Sequence, residues 1–368
     1  MCQGNQTTFT GVARDKIVSA RDQRIWTGLR GTTAHGWEGD ADSPGETLQR
    51  NKGDTGVFQW NAGKQLAVKR PRPPGTDSES HNNWFDILDT IHGTGCSLAT
   101  LEELGCGGSA DDEIVIRALV ARWSTLRGIS AHIWLAGGPR WSEDGKDLRG
   151  SGGASAGLAI IAMGAWARRG RAARRWANGR GLWVEFHEGN QLLCLGCVYG
   201  HASGSAAEND QWRLDVTTER AEAAARGCTT LVSGDFNCRR SAADAESGRH
   251  GDSRADAWFV GEDFTDVWQA RHNNSPGFTW QPDDERNSHT RTRIDYMCLD
   301  SDMALAGIHG AWLAPWGESF VLKSDHRPLL AMLDTEQWLG SVKPPPPTAN
   351  ATTADAAFPP RHMFISSD

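Results

Sequence analysis

The strongest signal in the sequence is the stretch LVSGDFNCRR, residues 231–240. An apolar run followed by Ser-Gly predicts a buried strand that ends in a turn. The turn brings Asp235 and Asn237 to the carboxyl edge of that strand, and Gly234 permits close backbone approach there. A carboxylate and a carboxamide two residues apart can act together on one water molecule or one phosphate oxygen. An Asx-turn after a strand explains the same residues equally well, so a functional interpretation needs partners elsewhere in the chain.

A second stretch, RTRIDYMCL at residues 291–299, predicts a strand that carries a carboxylate. Strand alternation places Asp295 on the same face as Met297 and Leu299. A carboxylate among apolar neighbours needs a partner. Either an arginine nearby or a histidine from another part of the chain would supply it.

A third stretch, KSDHRPLL at residues 323–330, offers that histidine. Ser324, Asp325 and His326 come directly before a short apolar run. An imidazole held by an aspartate keeps one orientation, and its charged form is favoured near a phosphate. A solvated histidine in a loop is the usual alternative, and the company of the two other motifs argues against it.

These three motifs, in the order Gly-Asp-Phe-Asn, Ile-Asp-Tyr and Ser-Asp-His, resemble those of the endonuclease/exonuclease/phosphatase superfamily. Three stretches upstream are similar to the family's earlier strand ends. They end in Trp-Asn at Asn61, in Leu-Glu-Glu at Glu103 and in Val-Tyr at Tyr199. Glu102 stands where the family commonly has glutamine, and a shift of one residue would put Glu102 in the place of Glu103. All six stretches occur in the family's order.

The resemblance implies an α/β (α+β) fold, namely a four-layer α/β sandwich with two mixed β-sheets packed face to face and flanked by helices. The pattern of the sequence agrees, because many strands for few helices favour a layered sandwich over a doubly wound sheet. Apolar runs predict strands at 57–60, 97–101, 157–162, 182–186, 192–199, 230–233, 293–299 and 328–333, and amphipathic stretches predict helices at 113–127 and 210–226.

The resemblance also implies a metal site at the strand ends between the two sheets. One Mg²⁺ or Mn²⁺ would be held mainly by Glu103, with Asn61 and Asp325 near it. Oxygen ligands of this kind suit a hard divalent cation.

Catalytic roles follow from the resemblance for five residues. Asp235 would orient or deprotonate the attacking water, with Asn237 beside it. His326, oriented by Asp295, would stabilise the charged transition state together with the metal. Tyr199, together with Asn61 of the metal site, would hydrogen-bond phosphate oxygens. Whether His326 or Asp235 is the base stays open at this level.

The substrate is predicted from a further resemblance. Phe278-Thr-Trp280, followed by a polar loop and then Arg293-Ile-Asp-Tyr296, resembles the apurinic-like endonuclease domain of non-LTR retrotransposons. We therefore predict a DNA-nicking endonuclease that acts on duplex DNA as a monomer. A phosphatase or sphingomyelinase-type phosphodiesterase of the same superfamily is the alternative, and an inactive retroelement-derived relic is a third.

Two features could contact nucleic acid. Trp280 is a candidate for base stacking, although burial in the core is the ordinary fate of a tryptophan. A basic segment, residues 166–180, could hold a phosphate backbone, and a solvated charged loop explains it equally well. Its candidate residues are Arg168, Arg169, Arg171, Arg174 and Arg175.

Composition limits the remaining possibilities. The 368 residues carry a net charge of −8, which excludes a simple polybasic nucleic-acid binder and requires any DNA contact to be local. The chain has no apolar run long enough for a membrane span and no secretory pattern at its start, so we expect an intracellular protein, and a nuclear one if DNA is its substrate. Eight scattered cysteines favour reduced thiols. We expect an irregular extension over 1–55, the superfamily domain over 56–335 and a proline-rich disordered tail over 336–368.

Overall fold

The computed structural model describes thirteen separate stretches of the chain. They are residues 53–63, 65–66, 83–105, 110–137, 157–188, 191–202, 204–247, 253–273, 275–282, 290–300, 307–314, 324–336 and 363–366. Most of the predicted extension over 1–55 lies outside the described residues. Among the helices that are described, none is both long enough and apolar enough to cross a membrane.

Strands dominate the described residues, with five helices between them. The strands are β1 (Asp54–Asn61), β2 (Cys96–Glu102), β3 (Ala131–Gly137), β4 (Gly157–Met163), β5 (Gly170–Arg175), β6 (Gly181–Glu188), β7 (Gln191–Tyr199), β8 (Cys228–Asp235), β9 (Phe264–Asp266), β10 (Asp295–Asp300), β11 (Ile308–Leu313), β12 (Leu329–Asp334) and β13 (Met363–Ser366). The helices are α1 (Asn83–Gly93), α2 (Ala110–Arg127), α3 (Ala206–Ala225), α4 (Ser253–Gly261) and α5 (Val267–His272), and short 3₁₀ turns lie at Trp166–Arg168 and Ala242–Asp244.

The strands form two mixed sheets. The first has the order β11-β12-β1-β2-β4-β3, and the second has the order β13-β5-β6-β7-β8-β10-β9. Each sheet contains one parallel pair, β1 with β2 and β7 with β8, and the other neighbours are antiparallel. Parallel neighbours end at the same edge of a sheet, which matters for the site described below.

Three apolar clusters divide the molecule into four layers. The central cluster lies between the sheets and includes Val57, Leu195 and Met297. A second cluster joins the outer face of the first sheet to α1 and α2, and a third joins the outer face of the second sheet to α3 and α4. This is the predicted four-layer sandwich, with helices on both outer faces.

Strand alternation explains how each sheet buries both of its faces. In β1, Val57 belongs to the central cluster, whereas Phe58 and Trp60 pack outward against the helices. The same alternation sends Gln59 and Asn61 inward, and both side chains are buried. Two polar side chains thus enter the space between the sheets.

All eight predicted strands and both predicted helices are present. The structure adds the strands β3, β5, β9, β11 and β13 and the helices α1, α4 and α5. The sequence of β5, GRAARR, has no apolar run to signal a strand, and it pairs with β6 because that strand offers an open edge. Helix α3 begins earlier than predicted because Ser205 and Glu208 form a capping box. Strand β13 lies within 336–368 and pairs with β5.

Candidate active site

Polar side chains from both sheets meet at one edge of the sandwich. Asn61 ends β1 and pairs in register with Glu102, the last residue of β2. On the facing sheet, Asp235 ends β8 and pairs with both Tyr199 of β7 and Asp295 of β10. These residues come from distant parts of the sequence, and the topology of the two sheets brings them to one place.

Gly234 is required where β8 reaches this edge. Its φ is +150°, and a Cβ added there would lie 2.0 Å from the carbonyl oxygen of Val198 on β7. The predicted close backbone approach is therefore present. A side chain at this position would push β8 away from β7 and displace Asp235 with it.

The centre of the site is a histidine between two aspartates. His326 Nδ1 lies 2.8 Å from Asp295 Oδ2, and His326 Nε2 lies 3.9 Å from Asp235 Oδ2. All three residues are buried, and His326 is only 7% exposed. The predicted pairing of Asp295 with a histidine is therefore present, and the imidazole has a carboxylate on each side.

Charge and burial shift the pKa values of this group. Burial lowers the pKa of His326, but the carboxylate and hydrogen bond of Asp295 outweigh burial and raise the pKa to about 10. Burial, with the nearby Asp295 charge, raises the pKa of Asp235 to about 7 against the opposing effect of His326. The geometry therefore favours an imidazolium at neutral pH.

Hydrogen bonds fix Asp235 in place. Asn61 Nδ2 donates to Asp235 Oδ2 over 2.9 Å, and the backbone N–H of Asn237 donates to Asp235 Oδ1 over 2.8 Å. Asn237 has a left-handed φ of +48°, and its side-chain amide donates to the Gly200 carbonyl over 3.1 Å. Asn237 thus holds the turn after β8, beside the carboxylate that it was predicted to accompany.

Tyr199 and Glu103 form a pair at the rim of the site. The tyrosine hydroxyl donates to Glu103 Oε1 over 2.6 Å. Glu103 follows the end of β2 in a left-handed conformation with φ of +48°, so its carboxylate leaves the alternation of the strand. Burial and the Glu103 charge raise the pKa of the Tyr199 phenol.

Arg180 supports this rim and was not among the predicted site residues. Its guanidinium carbon lies 4.9 Å from the centre of the Tyr199 ring. Arg180 Nη1 donates to the Gly200 carbonyl over 2.7 Å. The sequence offered only a weak signal, since Arg180 is the last residue of the basic segment.

Asp325 and Trp280 both lie beside His326, because Asp325 precedes it in the chain and Trp280 forms an isolated β-bridge with it. The indole Nε1 of Trp280 donates to Asp325 Oδ2 over 2.8 Å, and both side chains are half-buried. Trp280 is therefore only partly buried, unlike a tryptophan of the core. Nearby, Ser324 Oγ accepts from the backbone N–H of His326 and donates to the Asn61 carbonyl, over 3.1 and 2.8 Å.

A buried polar group behind Asp295 was missed by sequence reasoning. Gln59 Nε2 donates to Asp295 Oδ1 over 3.0 Å and to Glu102 Oε2 over 2.9 Å. The Cys197 thiol donates to Glu102 Oε1 over 3.2 Å. Thr279 Oγ1 accepts from the backbone N–H of Asp295 over 3.1 Å. Alternation along β1 would have predicted that Gln59 points inward, but not what it contacts.

The donor atoms of the site fit a divalent cation. Asp235, Asp295 and His326 each place one possible ligand atom within 4.8 Å of the others. However, each of the two carboxylates in this trio already accepts two hydrogen bonds within the site. Glu103 and Asp325 differ, because within the described ranges each has one carboxylate oxygen that no hydrogen bond reaches. Carboxylate oxygens of this kind suit a hard cation.

The sequence left two interpretations of the basic segment open, contact with a phosphate backbone and a solvated charged loop, and the structure shows that the segment is not simply a loop. Its residues form a 3₁₀ turn and strand β5, and three of its arginines pair with acidic residues. Arg174 is 5% exposed and contacts Glu219 and Glu222 on α3. Arg169 pairs with Glu188, and Arg175 pairs with Glu113. The exposed members are Arg168 and Arg171.

Comparison with known proteins finds relatives by structure alone. No protein-family model and no curated protein matches the sequence. The 3'-5' exonuclease NExo from Neisseria meningitidis matches with a TM-score of 0.54 and 16% identity, covering 76% of this chain and 100% of that protein. An AP endonuclease from Archaeoglobus fulgidus matches with a TM-score of 0.52 and 13% identity, covering 76% and 99%. An endonuclease/exonuclease/phosphatase family protein from Leptotrichia buccalis matches with a TM-score of 0.50 and 11% identity, covering 76% and 99%.

The chain has the fold of the endonuclease/exonuclease/phosphatase superfamily. The match spans nearly the whole length of each relative, so the likeness concerns a complete fold rather than a shared motif. The resemblance predicted from the six strand-end stretches is confirmed at the level of the fold.

Proposed function

We propose that this protein is a metal-dependent phosphodiesterase that nicks DNA by in-line attack of water. The observation that carries the proposal is the His326 imidazole, held by Asp295 at Nδ1 and facing Asp235 at Nε2. A buried cation with an oriented N–H suits a substrate whose reacting group is anionic.

The roles of His326 and Asp235 follow from their surroundings. Because Asp295 accepts at Nδ1 and a carboxylate also faces Nε2, the imidazole is the charged partner and donates to a phosphate oxygen. Asp235 keeps acceptor oxygens and is the group that orients the water and takes its proton. Asn61 and Asn237 hold Asp235 in that position.

Metal binding is assigned to Glu103, with Asn61 and Asp325 near it. We favour Glu103 over Glu102 for this role because Glu102 is fully buried and both of its oxygens already accept hydrogen bonds. A bound Mg²⁺ or Mn²⁺ would neutralise negative charge on the phosphodiester and so assist the attack. Tyr199 orients the Glu103 carboxylate through its hydroxyl.

Nucleic acid is the substrate we favour. One structure of the matched Neisseria protein is described as bound to a product DNA hairpin, and it matches this chain with a TM-score of 0.55 and 15% identity. Trp280 is our candidate for stacking on a base, since it is half-buried and hydrogen-bonds to Asp325 beside His326. The similarity to retrotransposon endonucleases, the preference for duplex DNA, the monomeric state and the intracellular or nuclear location stay predictions.

A plasmid-nicking assay on the full chain tests the proposal. Supercoiled plasmid should relax with Mg²⁺, and a chelator should stop the reaction. Asp235→Asn should abolish nicking because the amide cannot take a proton from water. Asp215→Asn is the matched control, since that aspartate lies on α3 and contacts only Gln211 among the hydrogen bonds described.

Each alternative has its own outcome in the same assay. Nicking that survives the chelator or Asp235→Asn would contradict the proposal. Phosphate or phosphocholine release from small substrates, without nicking, would indicate the phosphatase or sphingomyelinase alternative. DNA binding without any cleavage would indicate an inactive relic.

A further inference from the structure

The interior behind Asp295 contains a connected line of polar side chains. It runs from Cys197 on β7 to Glu102 on β2, then to Gln59 on β1 and finally to Asp295 on β10. The line therefore crosses between the two sheets twice. We call these four residues the polar seam.

The polar seam is costly to the fold unless every group has a partner. The space between the sheets is otherwise filled by apolar residues such as Leu195 and Met297. A buried polar group without a partner destabilises a protein, so four polar side chains in this core need a reason beyond packing. One atom of the seam, Gln59 Oε1, is buried and has no hydrogen-bond partner among the described residues.

The orientation of the Gln59 amide is the critical feature. Its Nε2 carries two hydrogens, and one points to Asp295 while the other points to Glu102. A flipped amide would place an oxygen against the Asp295 carboxylate, and two acceptors would then face each other. Glu102 opposes the flip because its oxygen needs the same Nε2, and the Cys197 thiol holds Glu102 from behind.

We propose that Gln59 is a positioning residue that holds the Asp295 carboxylate, and through it the His326 imidazole, in the reactive orientation. Glu102 and Cys197 fix Gln59 in the orientation that this task needs. The proposal rests on the proposed function for its effect on turnover. The predicted effect of Gln59 on the hydrogen bond between His326 and Asp295 is independent of that function.

The test is one proton resonance measured on the full chain. The N–H proton of His326 that faces Asp295 is expected far downfield, and it is assigned by its absence in His326→Gln. Gln59→Met keeps the side-chain length but removes the donor, so the resonance should move upfield or broaden. Glu102→Met should have the same effect, whereas Glu102→Gln keeps an acceptor and should restore the wild-type resonance.

Turnover gives a second readout. Gln59→Met should lower kcat about 10- to 100-fold with little change in KM, because a small misplacement of a catalytic group has an effect of this size. Thr100→Val is the matched control. It removes a buried hydrogen bond between the sheets, to Ser233 over 2.8 Å, without contacting Asp295. It should lower the melting temperature and leave both the resonance and kcat unchanged.

The outcomes separate this proposal from the proposed function. An unchanged resonance in Gln59→Met would overturn the positioning role. An unchanged kcat in Gln59→Met would overturn it too, provided that the wild-type protein cleaves. If the wild-type protein cleaves nothing, the proposed function fails and the resonance alone decides. Should Gln59→Met not fold, Gln59→Asn withdraws the donor by one methylene and is measured instead.

Discussion

The edge of the sandwich that carries the candidate active site and strand β5 both hold many charged side chains. The two regions differ in what surrounds those charges. At the edge, Asp235 and Asp295 are buried on either side of one histidine. On β5, Arg174 and Arg175 are each matched to glutamates of α3 or α2. The edge therefore holds buried aspartates beside the His326 imidazole, which can donate to an anion. On β5, by contrast, the charges of these two arginines are neutralised by glutamates of the same molecule.

This difference shows what a cluster of charge in a sequence can and cannot indicate. Neighbouring arginines on a strand point to opposite faces, so a run in the sequence does not make one surface. Residues of the site lie far apart in the sequence and are brought together by the register of two sheets. Strained backbone also marks the edge, since Glu103 and Asn237 both have positive φ there.

The largest effect is expected from His326→Gln. The amide cannot carry the positive charge that faces the phosphate, so kcat for plasmid nicking should fall about 1,000-fold or more. Folding should persist, as judged by circular dichroism. His272→Gln is a suitable control because that histidine lies on α5 and contacts the Ala311 carbonyl. Near-normal nicking by His326→Gln would show that the edge around His326 is not the catalytic site.

A large effect on stability, and not on catalysis, is expected from Arg174→Ala. Removal of the arginine takes away the ion pair of the buried Glu219 carboxylate, which keeps its hydrogen bond from Trp176 Nε1, and this should cost about 3–5 kcal/mol in free energy of unfolding. Denaturant titration measures the change. Arg171→Ala, on the same strand but exposed, should change stability by less than about 0.5 kcal/mol. Equal losses in the two variants would show that the ion pairs of β5 do not stabilise the fold.

A smaller effect is expected from Tyr199→Phe. The phenylalanine keeps the ring over which Arg180 stacks and loses only the hydroxyl that donates to Glu103. The variant should fold normally, and its kcat should fall about 10- to 100-fold, as for the loss of one hydrogen bond to a charged group. Steady-state nicking kinetics measure the change, and an unchanged kcat would refute the role of the hydroxyl.

The smallest effect concerns the exposed part of the basic segment. If this segment contacts DNA, Arg168 and Arg171 are the members placed to do so. The double variant Arg168→Ala/Arg171→Ala should then reduce the slope of log affinity against log salt by about 2. Binding measured by fluorescence anisotropy over a range of salt concentrations tests this. A slope equal to that of the wild-type protein would show that Arg168 and Arg171 do not contact DNA phosphates, so that the basic segment has only a structural role.

Prediction from the sequence succeeded for strands whose own residues show an apolar run or an alternation of polar and apolar side chains. The eight predicted strands are apolar runs, and alternation predicted that Asp295 shares a face with Met297 and Leu299, which the structure turns inward. It failed at β5, where arginines replace most of the apolar residues and the strand is recognised by its pairing with β6 and β13. It also left Glu102 and Glu103 as alternatives, because the left-handed turn that separates their environments is not visible in the sequence.

The sequence established most of the strands, which residues of a strand share a face and the residue types at the strand ends. Those properties are local, since they depend on the alternation of side chains along one strand. Only the tertiary structure decided that Gln59 contacts both Asp295 and Glu102, that Tyr199 contacts Glu103 and that Arg174 is buried in ion pairs. Contacts of this kind depend on the register between strands and on the distance between two sheets, which no single segment specifies.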